Sequence, residues 1–480
     1  MPVRDKPLLR YEELAGFIAG LVGDGTLPPG SRVPSLRAIS RQRETSLSTA
    51  LQAYRLLEER GLLEARPQSG FYVATGQPLS LRLPTASKPP AKATSVAVSG
   101  VVLKLLEHAA DPKFVPLGCA IPSPELLASA RLDRYLARAA RREGVDRNTY
   151  TVPKGEPRLR REIGRRALRW GQALSPEDIA ITCGCTEALA LALKAVARPG
   201  DAIGIESPTY FGLLQIIEAL DLRAFELPTD PATGVELPAL RDALERKAIA
   251  ACLFASSFNN PLGCTMTESK KAAVLDLLAR YGVPLIEDDI YGDIFFGEER
   301  PRPFIALRPS ADVLYCSSFS KTLAPGYRVG WIAAGRHTQK VVERKLALTL
   351  CGPALPQLAL AEFLSSGGYD RHLRRVRRTF ANNIDHMLRI IDQAFPEGTR
   401  VSRPAGGFVL WLEMPRPLRS RELLDAALGK GICFAPGDVF SAGGRHANCL
   451  RLSCGHTWHP RIEHGLRTLG ALAAAARARH

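Results

Sequence analysis

The chain has 480 residues, 64 Lys and Arg against 48 Asp and Glu, a formal charge of +16 and a hydrophobic fraction of 46%. That length is too great for one core and calls for roughly two to four domains. No apolar run approaches the roughly 18 residues needed to span a bilayer, so no membrane role is expected. Met1–Lys6 leads into no apolar signal region. The ten cysteines are scattered without paired metal spacing, which points to a reduced, cytoplasmic setting and no metal site. Cys183 and Cys185 could be a redox pair, but they also suit a tight phosphate-binding turn. The positive balance favours a polyanion such as nucleic acid as partner. Arg-rich stretches such as 158–169 and 371–378 are equally readable as solvated faces.

In chain order, residues 10–76 read as a separate module. Tyr11, Leu14, Ile18 and Leu21 mark a first helix by their 3–4 spacing. Residues 25–30 form a tight loop, and Ser35 caps a second short helix through Arg41. Leu47, Leu51, Tyr54 and Leu57 stripe a third helix, stopped by Gly61. Residues 62–65 and 71–73 are short strands around the turn 66–70. Three helices and a hairpin make a winged helix-turn-helix. Pro78, Pro84, Pro89 and Pro90 among Ser, Ala, Thr and Lys read as a semi-extended linker, assigned to 77–113.

From about residue 114, short apolar runs at 179–182, 202–205, 251–254 and 283–286 alternate with helical stretches. This is an α/β body with a mostly parallel sheet covered on both faces. It is expected to have a large part over about 114–340 and a smaller α+β part over about 341–480.

The most informative segment is 317–331. Lys321 sits among Ser317, Ser318, Ser320 and Thr322, with Arg328 seven positions on. A lysine there can condense with an aldehyde, and hydroxyls with an arginine can hold a dianionic phosphate. Pyridoxal phosphate carries both groups. Gly184-Cys185-Thr186 follows a strand and opens a helix, where unpaired N–H groups favour an anion. Three acids, Glu287, Asp288 and Asp289, end another strand, and any of them could face a cofactor's ring nitrogen.

These motifs, in order, make the body resemble a fold-type-I pyridoxal-phosphate enzyme of the aminotransferase class. The resemblance implies Lys321 as the catalytic, cofactor-linked lysine. It implies a phosphate held by Gly184, Cys185, Thr186, Ser318 and Arg328, and by Tyr150 reaching into a partner subunit, hence a homodimer. Tyr210, in Glu206-Ser207-Pro208-Thr209-Tyr210, would stack on the ring. Asn260, in Asn259-Asn260-Pro261-Leu262-Gly263, and Tyr291 would meet its phenolic oxygen. The Asp-x-x-Tyr pattern selects Asp288 for the ring nitrogen, and Arg451 in Leu450-Arg451-Leu452-Ser453 would grip a substrate carboxylate.

Residues 30–37 and 53–63 resemble the signature of GntR-type winged helices. A GntR module joined to an aminotransferase-like domain is the arrangement of the MocR subfamily of transcription regulators. That resemblance implies double-stranded operator DNA as a partner, contacted by Arg37, Arg43, Ser46, Ser48, Thr49 and Gly70. Leu47 stands where the family often has an arginine. The implied function is a DNA-binding regulator responding to pyridoxal phosphate or its adduct with an amino acid or amine. An aminotransferase with a secondary DNA-binding domain is the alternative.

Overall fold

The computed structural model describes residues 10–24, 26–28, 30–59, 62–66, 69–73, 79–142 and 148–478. The predicted helix stop at Gly61 and part of the hairpin turn (67–68) lie outside them. The chain divides into two units, 1–80 and 81–480.

In the first unit, helices Arg10–Gly23, Leu36–Gln42 and Leu47–Glu59 precede an antiparallel hairpin of Leu63–Arg66 and Gly70–Val73. Leu14, Ile18, Tyr54 and Leu57 of the apolar stripes are buried in one core together with Ile39 and Ala50. Tyr54 joins the pieces. Its hydroxyl donates to the Pro34 carbonyl at 2.7 Å, and its ring meets Phe71 of the hairpin edge-on at 5.1 Å. Ser35 caps the second helix by accepting from the Ala38 N–H at 3.2 Å, and Ser46 caps the third by accepting from the Thr49 N–H at 3.1 Å.

The second unit is built on a mixed sheet. Its strand order is Ala93–Thr94, Arg223–Asp230, Ala202–Ser207, Ala251–Phe254, Leu285–Asp288, Val313–Ser318, Gly330–Ala333 and Ile179–Thr182. The strands from Arg223–Asp230 to Val313–Ser318 pair parallel. Gly330–Ala333 runs antiparallel to both its neighbours, so Ile179–Thr182 points the same way as the parallel set. Nearly every residue of these strands is buried, as expected of a sheet covered on both faces. A second antiparallel sheet follows, in the order Arg400–Val401, Val409–Glu413, Cys449–Ser453 and Ala435–Pro436, beside the long helices Gly368–Ala394 and Pro460–Ala478.

One expected boundary is corrected. Composition assigned 77–113 to a linker, yet from Leu81 the chain is built into the second unit. Thr85 donates its N–H at 2.7 Å to the Glu413 carboxylate. Ala93–Thr94 adds a strand to the large sheet, and helix Ser99–Ala110 buries Val102 and Leu105. The Ser and Thr that made this segment look solvated find partners on the body instead. No break marks the expected start of a small part at about 341, since residues 81–480 form one unit. Helices Thr338–Thr349 and Ala354–Ser365 pack on the large part's helices Gly184–Val196 and Ser129–Arg142.

Candidate cofactor and ligand site

Strands Ile179–Thr182, Ala202–Ser207, Ala251–Phe254, Leu285–Asp288 and Val313–Ser318 share one direction, so their carboxyl ends open onto one crevice. Each ends in or is followed by an expected site residue: Cys185 and Thr186, Tyr210, Asn260, Asp288 and Tyr291, and Lys321. These residues, with Arg328 and Arg451, line a single cavity of about 210 Å³.

The Lys321 amine donates to the Ala120 carbonyl at 2.6 Å. Burial, then the neighbouring Arg451 guanidinium, brings its pKa down to about 8, against the pull of Asp288. Burial pushes the Asp288 carboxyl up to about 6, although the Cys185 thiol donates to it at 3.5 Å and the Ile290 N–H at 3.2 Å. The other two acids are committed elsewhere. Asp289 pairs with Arg300 and accepts from the Tyr315 hydroxyl at 2.7 Å. Glu287 accepts from Ser256 at 2.7 Å and from the Phe304 N–H at 3.0 Å. Of the three, Asp288 alone lines the cavity.

Arg451 lies opposite the register partner Trp411 and is fully buried. One terminal nitrogen donates to Asn260 Oδ1 at 3.3 Å and the other to the Gly118 carbonyl, while Nε has no partner. Among the described residues no carboxylate pairs with it. Tyr291 is buried with its ring edge-on to Phe408 at 5.4 Å, and burial raises its hydroxyl above the usual tyrosine range.

The strand-to-helix turn at Gly184 is shaped by two glycines. Gly184 has φ +80°, and a Cβ there would lie 2.5 Å from an Arg328 terminal nitrogen. A Cβ on Gly330 would lie 2.5 Å from the Gly184 carbonyl carbon and 2.8 Å from the Cys185 nitrogen. The helix start thus abuts strand Gly330–Ala333, and Arg328 reaches over it to donate to the Cys183 carbonyl at 3.1 Å.

Two family models match the sequence: aminotransferase class I and II over residues 124–469, and the gntR family of bacterial regulatory proteins over residues 10–73. The chain belongs to the GntR-type regulators fused to an aminotransferase domain, the MocR type. It is 39% identical to the uncharacterized HTH-type transcriptional regulator YdcR of Escherichia coli (strain K12), over 96% of this chain and 98% of that protein. It is 31% identical to 2-aminoadipate transaminase of Thermus thermophilus, over 78% of this chain and 93% of that enzyme. Among solved structures it is similar to LysN, the α-aminoadipate aminotransferase of Thermus thermophilus complexed with N-(5'-phosphopyridoxyl)-L-leucine. The TM-score is 0.73 at 29% identity, covering 80% of this chain and 100% of LysN.

In this MocR-type chain three expected site residues are not among those lining the cavity: Gly184, which only opens the helix beside it, Ser318 and Tyr150. Ser318 does not line it, since its hydroxyl accepts from the Ser320 N–H at 3.2 Å. Ser320, not singled out from sequence, does line it, with a buried hydroxyl lacking a partner. Tyr150 is 82% exposed and lies outside the cavity of its own chain. Sequence reading also missed the segment Gly118–Ile121, which lends carbonyls to Arg451 and Lys321 and carries no charged motif.

In the GntR module, the Ser46 hydroxyl lies 2.7 Å from that of Ser48 and 2.8 Å from that of Thr49. Arg37 is exposed, and the Arg43 guanidinium stacks over Phe17 at 3.3 Å. Gly70, at the hairpin turn, has φ +101°, which favours glycine. Leu47, at the start of the third helix, is 53% exposed.

Proposed function

We propose that this regulator binds operator DNA through its first unit and senses an amino acid through pyridoxal phosphate held in the second. The carrying observation is Arg451: a fully buried guanidinium without a counter-ion among the described residues, in the same cavity as Lys321 and Asp288. A buried cation without a partner is costly, and a ligand carboxylate would supply the missing anion bidentately.

The residues present fit the cofactor. Ser320 with its unpartnered hydroxyl, Arg328 and the helix start at Gly184–Thr186 would hold the phosphate. Tyr210 would cover one face of the ring, Asn260 and Tyr291 would meet its phenolic oxygen, and Asp288 would stay ionised beside its nitrogen. When bound, the cofactor supplies an aldehyde for a lysine and a ring that withdraws electrons. Lys321, with its depressed pKa, has a fraction of neutral amine at pH 7 that an exposed lysine lacks.

The rest of the cavity sets the ligand class. Leu106, Ile121, Leu189, Phe211, Leu213 and Ile216 line it, and Lys321, Arg328 and Arg451 are its only lining cations among the described residues. With Arg451 on the α-carboxylate, no further cation remains for a side-chain carboxylate. The ligand is therefore a monocarboxylic amino acid with an apolar side chain. The exposed Tyr150, Val152, Leu346, Leu348 and Leu350 suit a homodimer in which Tyr150 serves the neighbouring subunit.

Borohydride reduction of the protein loaded with pyridoxal phosphate, followed by peptide mass spectrometry, tests the assignment. The pyridoxyl group should sit on Lys321, and Lys321→Ala should carry none. Leucine should perturb the cofactor's absorbance at far lower concentration than glutamate. Label on another lysine, or a preference for glutamate, would refute the reading. Steady multiple turnover of leucine with an oxo acid would instead favour the aminotransferase alternative, for which the same side chains suffice.

A further inference from the structure

The charge of this protein sits mostly outside its DNA-binding module. Residues 1–80 hold 10 basic and 8 acidic residues, a net of +2, so residues 81–480 carry 54 basic and 40 acidic, a net of +14 of the total +16. Within the second unit the excess is concentrated. Helix Ser129–Arg142 carries Arg131, Arg134, Arg138, Arg141 and Arg142 against the single acid Asp133. The first turns of helix Gly368–Ala394 carry five arginines between 371 and 378.

Spacing and packing bring part of these together. Positions 131, 134 and 138 fall on one helical face, and Arg371 joins them to line an open depression of about 430 Å³. Tyr135 also lines it, its ring 5.6 Å from the Arg138 guanidinium. Among the described residues, no acid lines the depression. Among them too, Arg131, Arg134 and Arg371 have no ion-pair partner, and Arg138 has only Glu362 at 3.6 Å. Clustered arginines left unpaired repel one another, and an anion relieves that cost. The depression shares no lining residue with the cavity around Lys321.

We propose that Arg131, Arg134, Arg138 and Arg371 form a second duplex-DNA contact surface on the aminotransferase-like unit, gripping backbone phosphates without reading sequence. This rests on the reading that the first unit binds duplex DNA. A module with a net charge of +2 attracts a polyanion only weakly at long range by itself. A duplex is favoured over other polyanions because the same chain already presents a winged helix to one. Planar guanidinium forks suit phosphate oxygens, and such contacts hold the DNA while the winged helix reads bases.

The test uses the full-length protein and a random-sequence duplex of about 40 base pairs, titrated between about 50 and 200 mM salt. The triple variant R131A/R134A/R371A should bind more weakly at the low-salt end. Its slope of log K against log salt should be shallower by about 0.9 for each phosphate no longer neutralised. A control variant removing three charges elsewhere, R241A/K247A/R280A, should keep the wild-type slope. Thermal unfolding should show all three proteins equally folded. A wild-type slope in the patch variant would overturn the proposal, as would an equal fall in the control, which would mean diffuse charge alone. Preferential binding of phosphatidylserine vesicles over the duplex, abolished in R131A/R134A/R371A, would assign the patch to membranes and overturn it too. If the wild type binds and R37A weakens it while the patch variant does not, the patch proposal alone fails. If the wild type binds no duplex, the regulator reading fails with it.

Discussion

The titration of Lys321 offers a prediction with a sign on each side. Burial and Arg451 bring its amine from an ordinary lysine value near 10.5 to about 8. At pH 7 about one amine in ten is then neutral, against about one in 3,000 for an unperturbed lysine, a gain of roughly 300-fold in reactive form. The initial rate at which protein freed of cofactor captures pyridoxal should therefore rise with pH and level off above about 8. Two substitutions should move that midpoint in opposite directions. Arg451→Gln removes a cation that disfavours the ammonium and should shift it upward. Asp288→Asn removes an anion that favours the ammonium and should shift it downward. The assay is stopped-flow absorbance of capture from about pH 6 to about pH 11, bracketing both the shifted and the ordinary lysine value, with borohydride trapping on Lys321 as the check on identity. A wild-type midpoint at the ordinary lysine value, or a downward shift in Arg451→Gln, would refute the electrostatic picture of the site.

Other outcomes follow from particular contacts. Asp288→Asn should lower pyridoxal phosphate affinity with little change in urea stability, whereas Asp289→Asn, which breaks the buried pair with Arg300, should cost about 3–5 kcal/mol in unfolding. Gly330→Ala sets a methyl against backbone atoms that cannot yield, so it should destabilise by about 1–3 kcal/mol and weaken phosphate retention, read by equilibrium dialysis. Ser320→Ala should weaken pyridoxal phosphate more than Ser318→Ala, because Ser320 is the hydroxyl that lines the cavity. Exposed Leu47 suits a thymine methyl. Replacing thymine by uracil at one operator position should weaken wild-type binding and leave Leu47→Ala indifferent; equal weakening of both would exclude that contact.

The parts of the site legible in the sequence are those where a side chain's chemistry is distinctive. Lys321 with Arg328, the Asn-Pro-x-Gly turn at Asn260 and the Gly184 turn all stand at strand ends, where the fold brings them together. What escaped were residues whose part is backbone or space. Gly118 and Ala120 contribute carbonyls, Gly330 contributes the absence of a side chain, and neither signal survives in composition. Ser318 and Ser320 are hard to tell apart in sequence, because both are hydroxyls at one strand end. In the structure the Ser318 hydroxyl is turned back onto its own chain. The segment 81–113 was misread because proline and small polar residues look the same in a linker as in an extended segment pinned by hydrogen bonds. In the first unit, the 3–4 apolar spacing recovered the long first and third helices through Leu14, Ile18, Tyr54 and Leu57, which do enter the core, whereas Leu47 of the third-helix stripe is exposed.

The most direct measurement is the affinity of the full-length protein for duplexes from the region upstream of its own gene. It should be taken without cofactor, with pyridoxal phosphate, and with pyridoxal phosphate plus leucine. A coupling of about 1–3 kcal/mol between the sites would change the dissociation constant by roughly 5–150-fold. That change should vanish in Lys321→Ala and persist when glutamate is also present. Identical affinity in all three conditions, with the cofactor verified on Lys321, would contradict the coupling of the two units.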